Sequence, residues 1–359
     1  MTGRRVYLHV GTPKSGTSYL QEKLALNREE IARQGLTYPN TRTGNHFEAA
    51  LDLIEERWAG QGDVARGQWQ ALVAEARKAP GDVLVSHEIL AAATPAQVKA
   101  GMAAFGDAEV HIVLTARDLA RQIPAEWQEN VKHRGRRSFA KFMGMIAKAR
   151  RTNPDVWFWR VQAIPDVLTR WGNGLPPEQI HVVTVPPHGG PRELLWQRFA
   201  SVVGIDPDAG YTESTDFNPS LGIVEAAVVR RLNKQLAGKG VPREVYVDLV
   251  REVIARDTLA QRPDRIRAVL PERRWPFVER VTAEWLDWLE GAGVDVVGDL
   301  ADLQPVRPDF SDGTWIHPDK PPVDLVAQAA IEALAAVIED IAPTHKSPVR
   351  RIARRLLRG

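Results

Sequence analysis

Eight residues near the start of the chain limit its fold more than any others. Gly11-Thr12-Pro13-Lys14-Ser15-Gly16-Thr17-Ser18 stands between an alternating apolar run, Val6, Leu8 and Val10, and a stretch of helical spacing, Leu20, Leu24 and Ile31. A strand that turns through two glycines into a helix aims backbone N–H groups and the positive helix end at one spot, which suits a phosphate. The hydroxyls of Ser15, Thr17 and Ser18 add donors there. The glycines have the spacing of a nucleotide triphosphatase loop, G-x-x-x-x-G-K-[ST]. Thr17, however, stands at the lysine position, and the lysine is Lys14, inside the loop.

The rest of the chain continues the alternation. Helical patterns cover Phe47–Ala59 and Gln68–Lys78, and a strand, Val83–Val85, ends at Ser86-His87-Glu88. Another, Val110–Leu114, ends at Thr115-Ala116-Arg117-Asp118 and leads into a helix to about Lys132. A further strand, Ile180–Val185, precedes the helix Glu193–Val203. This predicts an α/β fold: a P-loop-like three-layer arrangement with a central parallel sheet flanked by helices, plus a largely helical C-terminal part. In such sheets ligands sit beyond the carboxyl ends of the strands, where the polar motifs cluster here. Asn218 and Pro219 read as the opening of a helix to about Gln235, with helices near Val241–Arg256 and Trp275–Glu290 and an apolar piece at Val294–Val297. Five prolines lie between Pro305 and Pro322. The predicted organisation is an α/β domain over 1–304, a proline-rich linker over 305–323, and a C-terminal helix and basic tail over 324–359.

Composition removes several classes. With 0 cysteines, disulfides, thiolate nucleophiles and iron–sulfur clusters are excluded. The net charge of +2 gives no case for a nucleic-acid partner, but it hides an asymmetry. Lys346, Arg350, Arg351, Arg354, Arg355 and Arg358 crowd the last residues without an acid, so the body is mildly acidic. Val6–Val10 is too short for a signal-peptide core, and no long uncharged apolar run follows. A cytoplasmic protein is expected.

On the loop residues the chain resembles the sulfotransferase family that uses 3′-phosphoadenosine 5′-phosphosulfate as donor. Pro13-Lys14-Ser15-Gly16-Thr17-Ser18-Tyr19 looks like that family's 5′-phosphosulfate loop, with tyrosine where many members have tryptophan. The resemblance implies that Thr12, Lys14, Ser15, Gly16, Thr17 and Ser18 hold the donor. It implies too that Lys14 meets the bridging oxygen and the sulfuryl group, and that Tyr19 stacks on adenine. Negative charge grows on the leaving phosphate oxygen, and a fixed ammonium meets it, so no metal is expected. The family also places an arginine at the end of a later strand and a serine eight residues on, both on the 3′-phosphate. Arg117 matches the arginine, but the serine position falls on Ala125. Gln122, Gln128, or the cluster Lys132, Arg134, Arg136 and Arg137 stand as substitutes, although that cluster reads equally as a solvated loop. Gly35-Leu36-Thr37-Tyr38-Pro39, Asn45-His46, Trp171-Gly172, Val182–Pro186 and Asn218–Gly222 extend the likeness over about residues 5–303. It is most like the bacterial members of the carbohydrate-type branch.

An acceptor hydroxyl must lose its proton as it attacks, so a base should lie near Lys14. Glu88 and His87 end the second clear strand, and their side chains point to opposite faces of an extended chain. Glu88 matches the glutamate of the carbohydrate branch, whereas His87 has the more suitable unperturbed pKa, and both stay open. His46 ranks third. His9 and His111, inside strands, read as packed or hydrogen-bonded, and Trp157 and Trp159 as core or acceptor-pocket residues.

Three classes follow. The first is a sulfotransferase acting on a hydroxyl of a carbohydrate, lipid or other small molecule. The second is a P-loop kinase using ATP and Mg²⁺, and the third a non-catalytic nucleotide-binding protein. The arginine tail, with Val349, Ile352, Leu356 and Leu357 interleaved, adds a weak contact to an anionic membrane or polymer as an expectation.

Overall fold

Apolar runs rich in β-branched residues become strands, the central ones buried on both faces as a parallel sheet covered by helices requires and the two edge strands only partly buried. They are β1 (Arg5–Gly11), β2 (Leu36–Thr37), β3 (Asp82–Ser86), β4 (Glu109–Ala116), β5 (Ile180–Thr184) and β6 (Asp295–Val297). In the computed structural model, which describes residues 3–56, 62–191, 193–214, 220–311 and 313–345, they pair in the order β2-β3-β1-β4-β5-β6. Every neighbouring pair is parallel. The predicted α/β fold, a central parallel sheet flanked by helices, is what forms. β1 lies at the middle, so the loop that follows it opens between the carboxyl ends of β3 and β4.

Compactness divides the chain into two units. The first comprises Met1–Gln122, Ile146–Thr215 and Arg273–Arg307 and holds the whole sheet. Its core packs Tyr7 of β1, Leu84 of β3, Val113 of β4 and Val183 of β5 with Leu20, Leu24, Ile31, Trp196 and Phe199 from the helices. Leu20 and Leu24 are fully buried, and each contributes about 2 kcal/mol by leaving water. Local chemistry sets the helix starts: before Pro95, Thr94 and Gln97 exchange hydrogen bonds of 3.4 and 2.9 Å in a capping box.

The second unit comprises Ile123–Met145, Asp216–Glu272 and Pro308–Gly359. It carries the helices Ile223–Leu236, Tyr246–Thr258 and Val323–His345. Arg262 joins the first and last of these, donating to buried Glu225 and to Glu332 at 2.7 Å each. The helix Ile223–Leu236 starts behind Gly222 rather than at Asn218. Asn218 and Pro219 lie outside the described residues, as does the basic tail from Lys346. Among the described residues, no helix is long and apolar enough to cross a membrane.

Candidate active site

β1 ends at Gly11, and the helix Thr17–Leu26 begins behind Gly16. Gly16 has φ 85°, a conformation that disfavours any side chain, and a Cβ there would push aside the Leu195 Cδ2 methyl. Gly16→Ala is therefore expected to cost about 1–2 kcal/mol, chiefly from left-handed strain. Urea unfolding measures this, and an unchanged midpoint would refute it. Lys14 also has positive φ, 66°, so the loop curls tightly between the two residues. Gly16 supplies no side-chain cap, and the first turn of the helix holds no acid. The first-turn N–H groups have no intrahelical acceptor. An anionic group fits there.

A polar floor supports the loop from below. Thr12 N donates to Thr115 O of β4 at 2.9 Å, and Thr115 Oγ1 donates to Gly11 O at 3.1 Å. Ser15 is fully buried, its hydroxyl engaged by Thr12 O and Thr115 Oγ1. Of the expected donor-binding hydroxyls, Ser15 and Thr12 thus face the protein, whereas Ser18 is exposed. His9 bridges Ser86 Oγ at 2.7 Å and Thr115 Oγ1 at 3.2 Å, and burial pushes its pKa down to about 4, so it is neutral. Gln122 and Gln162 both donate to Pro13 O, and Gln122 also donates to Gln162 Oε1 at 2.7 Å. Gln122, expected as a phosphate substitute, is thus a strut under the loop. Arg117, just beyond β4, reaches the loop itself: its Nη1 donates to Lys14 O at 3.1 Å. Tyr19 is half-buried, its ring centroid 5.9 Å from Lys23 Nζ.

Glu88 and His87 follow β3, and Gly11 is where they meet the loop. A Cβ on Gly11 would lie 3.1 Å from Glu88 O and 3.2 Å from Ala91 Cβ. The two residues differ in what they can do. His87 Nδ1 accepts the Ile89 N–H at 3.3 Å, capping the short helical turn Glu88–Ala92. Its proton therefore sits on Nε2, and burial keeps the ring below the ordinary histidine pKa against the pull of Glu88. The Glu88 side chain is 22% exposed, and Gln21 Nε2 donates to its Oε2 at 2.8 Å. Burial works against the charge of Glu88. His87, the Gln21 amide, its own backbone N–H and Lys14 together outweigh burial and hold the carboxyl below its ordinary value. At neutral pH the pair is a carboxylate beside a neutral imidazole.

Other candidates have structural duties. His46 is buried, donating through Nε2 to Pro39 O at 2.8 Å and accepting from Ser86 N at 3.1 Å, with its pKa pushed down to about 3 by burial. Gln128 donates to Leu221 O, and Arg134 donates to the carbonyls of Val241 and Pro242 at 3.1 Å each, so these two are engaged by backbone. Trp159 is core, donating to Ile146 O at 2.7 Å, and forms one wall of a cleft of about 330 Å³ with Trp285 and Trp288. Gln21, Gln162, Ser86 and Thr115 carry no sequence signal of their own. Only their distant partners give them a place.

No protein-family model matches the chain, and no curated protein does. Among solved structures, a sulfotransferase from Alicyclobacillus acidocaldarius aligns at 15% identity with a TM-score of 0.40, covering 61% of this chain and 88% of that one. At that overlap the chemistry has to come from the residues.

Proposed function

We propose that the protein is a sulfotransferase that moves a sulfuryl group from 3′-phosphoadenosine 5′-phosphosulfate to a hydroxyl of a carbohydrate or other small acceptor, in the cytoplasm. The observation that carries the reading is one arrangement: Lys14 inside an uncapped loop, Arg117 bound to its carbonyl, and Glu88 packed against the first glycine. The donor supplies an activated sulfuryl group. The first-turn N–H groups and Ser18 hold its 5′-phosphosulfate, and Arg117 its 3′-phosphate. Glu88 takes the acceptor's proton as the new O–S bond forms. Lys14 meets the charge on the phosphate oxygen as the old S–O bond breaks. His87 is disfavoured as the base, because the nitrogen it would need already accepts a hydrogen bond.

Calorimetry separates the three classes. The chain should bind 3′-phosphoadenosine 5′-phosphate and not ATP–Mg²⁺, and Lys14→Ala should weaken that binding. Tight binding of ATP–Mg²⁺ alone would overturn the reading in favour of a kinase. Nucleotide binding without turnover across acceptors would leave a non-catalytic binding protein.

The reading also fixes a pH profile. Glu88 is active as a carboxylate, and its folded pKa lies below the ordinary value, so kcat/KM is lost only as pH falls through that lowered pKa. Gln21→Leu removes one of the groups holding it down, so the acid limb should move to higher pH while the plateau keeps its height. An unmoved limb would show that Gln21 does not act on the base.

A further inference from the structure

At the amino-terminal end of the sheet, away from the loop, four side chains form a row across three strands. Glu109 opens β4 and His111 follows it, His181 is second in β5, and Asp295 opens β6. The contacts run from Glu109 Oε1 to His111 Nε2 at 3.1 Å, from His111 Nδ1 to His181 Nε2 at 2.9 Å, and from His181 Nδ1 to Asp295 Oδ2 at 2.7 Å. The rings lie 11° from parallel. Both histidines are buried and both carboxylates exposed.

Counting hydrogens decides what this row is. A ring nitrogen that faces a carboxylate must carry hydrogen, which uses Nε2 of His111 and Nδ1 of His181. Two neutral rings then have none left, and the nitrogens 2.9 Å apart would meet as bare lone pairs. All three contacts are hydrogen bonds only when the pair carries one more proton, held between the rings and flanked by two carboxylates. We propose that His111 and His181 form a binding site for a single shared proton, which fastens the edge strand β6 to the sheet and makes that attachment depend on pH.

The surroundings fit a one-proton site. Arg5 and Tyr7 of β1 lie alongside, Tyr7 with its ring 5.1 Å from that of His111, and Arg5 pairs with Asp82 of β3 at 2.6 Å. The turn Pro177–Gln179 contributes Gln179, which donates to Glu109 Oε1 at 3.3 Å, and the exposed Glu178. Burial, then His181 and Arg5, push His111 down while Glu109 pushes it up, and the net is below the ordinary histidine value. A charge on His111 is thus resisted by burial, whereas a second added proton in the pair would set N–H against N–H. Loss of the shared proton would set lone pair against lone pair. Both changes loosen Asp295, the first residue of a strand that pairs with β5 only through His181–Val183.

The test uses the whole protein. Long-range proton–nitrogen NMR of the histidines should reveal a pH range in which these four ring nitrogens carry three hydrogens. Within that range, amide exchange at Asp295–Val297, corrected for its intrinsic pH dependence, should be on the order of tenfold slower than on either side. His111→Phe keeps a stacked ring without nitrogens, and should abolish the slow window. If that variant does not fold, the hydrogen count in the unmutated protein still decides. Two independently titrating rings, a count that never reaches three, or pH-independent exchange at β6 would overturn the proposal.

Discussion

Lys14→Ala is expected to lower kcat by about 10²–10³-fold, the loss seen when one preorganised group facing developing charge is removed. The site should otherwise survive the change. The contact from Arg117 is to the Lys14 carbonyl, which alanine retains, and Thr12, Ser15 and Thr115 seat the loop through bonds that the substitution leaves in place. The variant should therefore unfold at the same urea concentration as the parent and still bind 3′-phosphoadenosine 5′-phosphate, though more weakly. Lys14→Arg should not rescue, because a planar guanidinium does not occupy the position of a compact ammonium. Single-turnover transfer from labelled donor measures the effect. Turnover within threefold of the parent would remove Lys14 from the chemistry.

Glu88→Gln is expected to cost about 10²–10⁴-fold in kcat, the usual worth of a positioned base. Glutamine has the same shape and can still accept from Gln21, so the packing of the turn against Gly11 should persist. His87→Asn should stay within about tenfold of the parent, because asparagine can cap the same turn through its side-chain oxygen. The comparison reads directly on the base. A large loss in His87→Asn with little in Glu88→Gln would reverse the assignment.

Much of the loop was legible because strand, glycine spacing and helix are contiguous in the chain. Lys14, Gly16 and Ser18 needed no distant partner to be noticed. Arg117 was visible for the same reason, standing directly after an apolar run. The difference in protonation between Glu88 and His87 was not, since it turns on a tautomer set by Ile89 and on an amide from the helix after the loop. Nor was the direction of some polar groups legible. The Ser15 hydroxyl turns toward Thr12 and Thr115, and the Gln122 amide props Pro13, both through partners distant in sequence or hidden by the fold.

The strand–helix alternation along the chain determined that it is α/β, and Gly11 to Ser18 pointed to an anion at the start of its first long helix. The reason is local: backbone geometry and glycine conformations act within a few residues. Tertiary structure alone decided which hydroxyls face inward, which neighbour of β3 is charged, and that His111 and His181 meet end to end. Those outcomes depend on pairs separated by 67, 70 and 100 positions, which only strand order brings together.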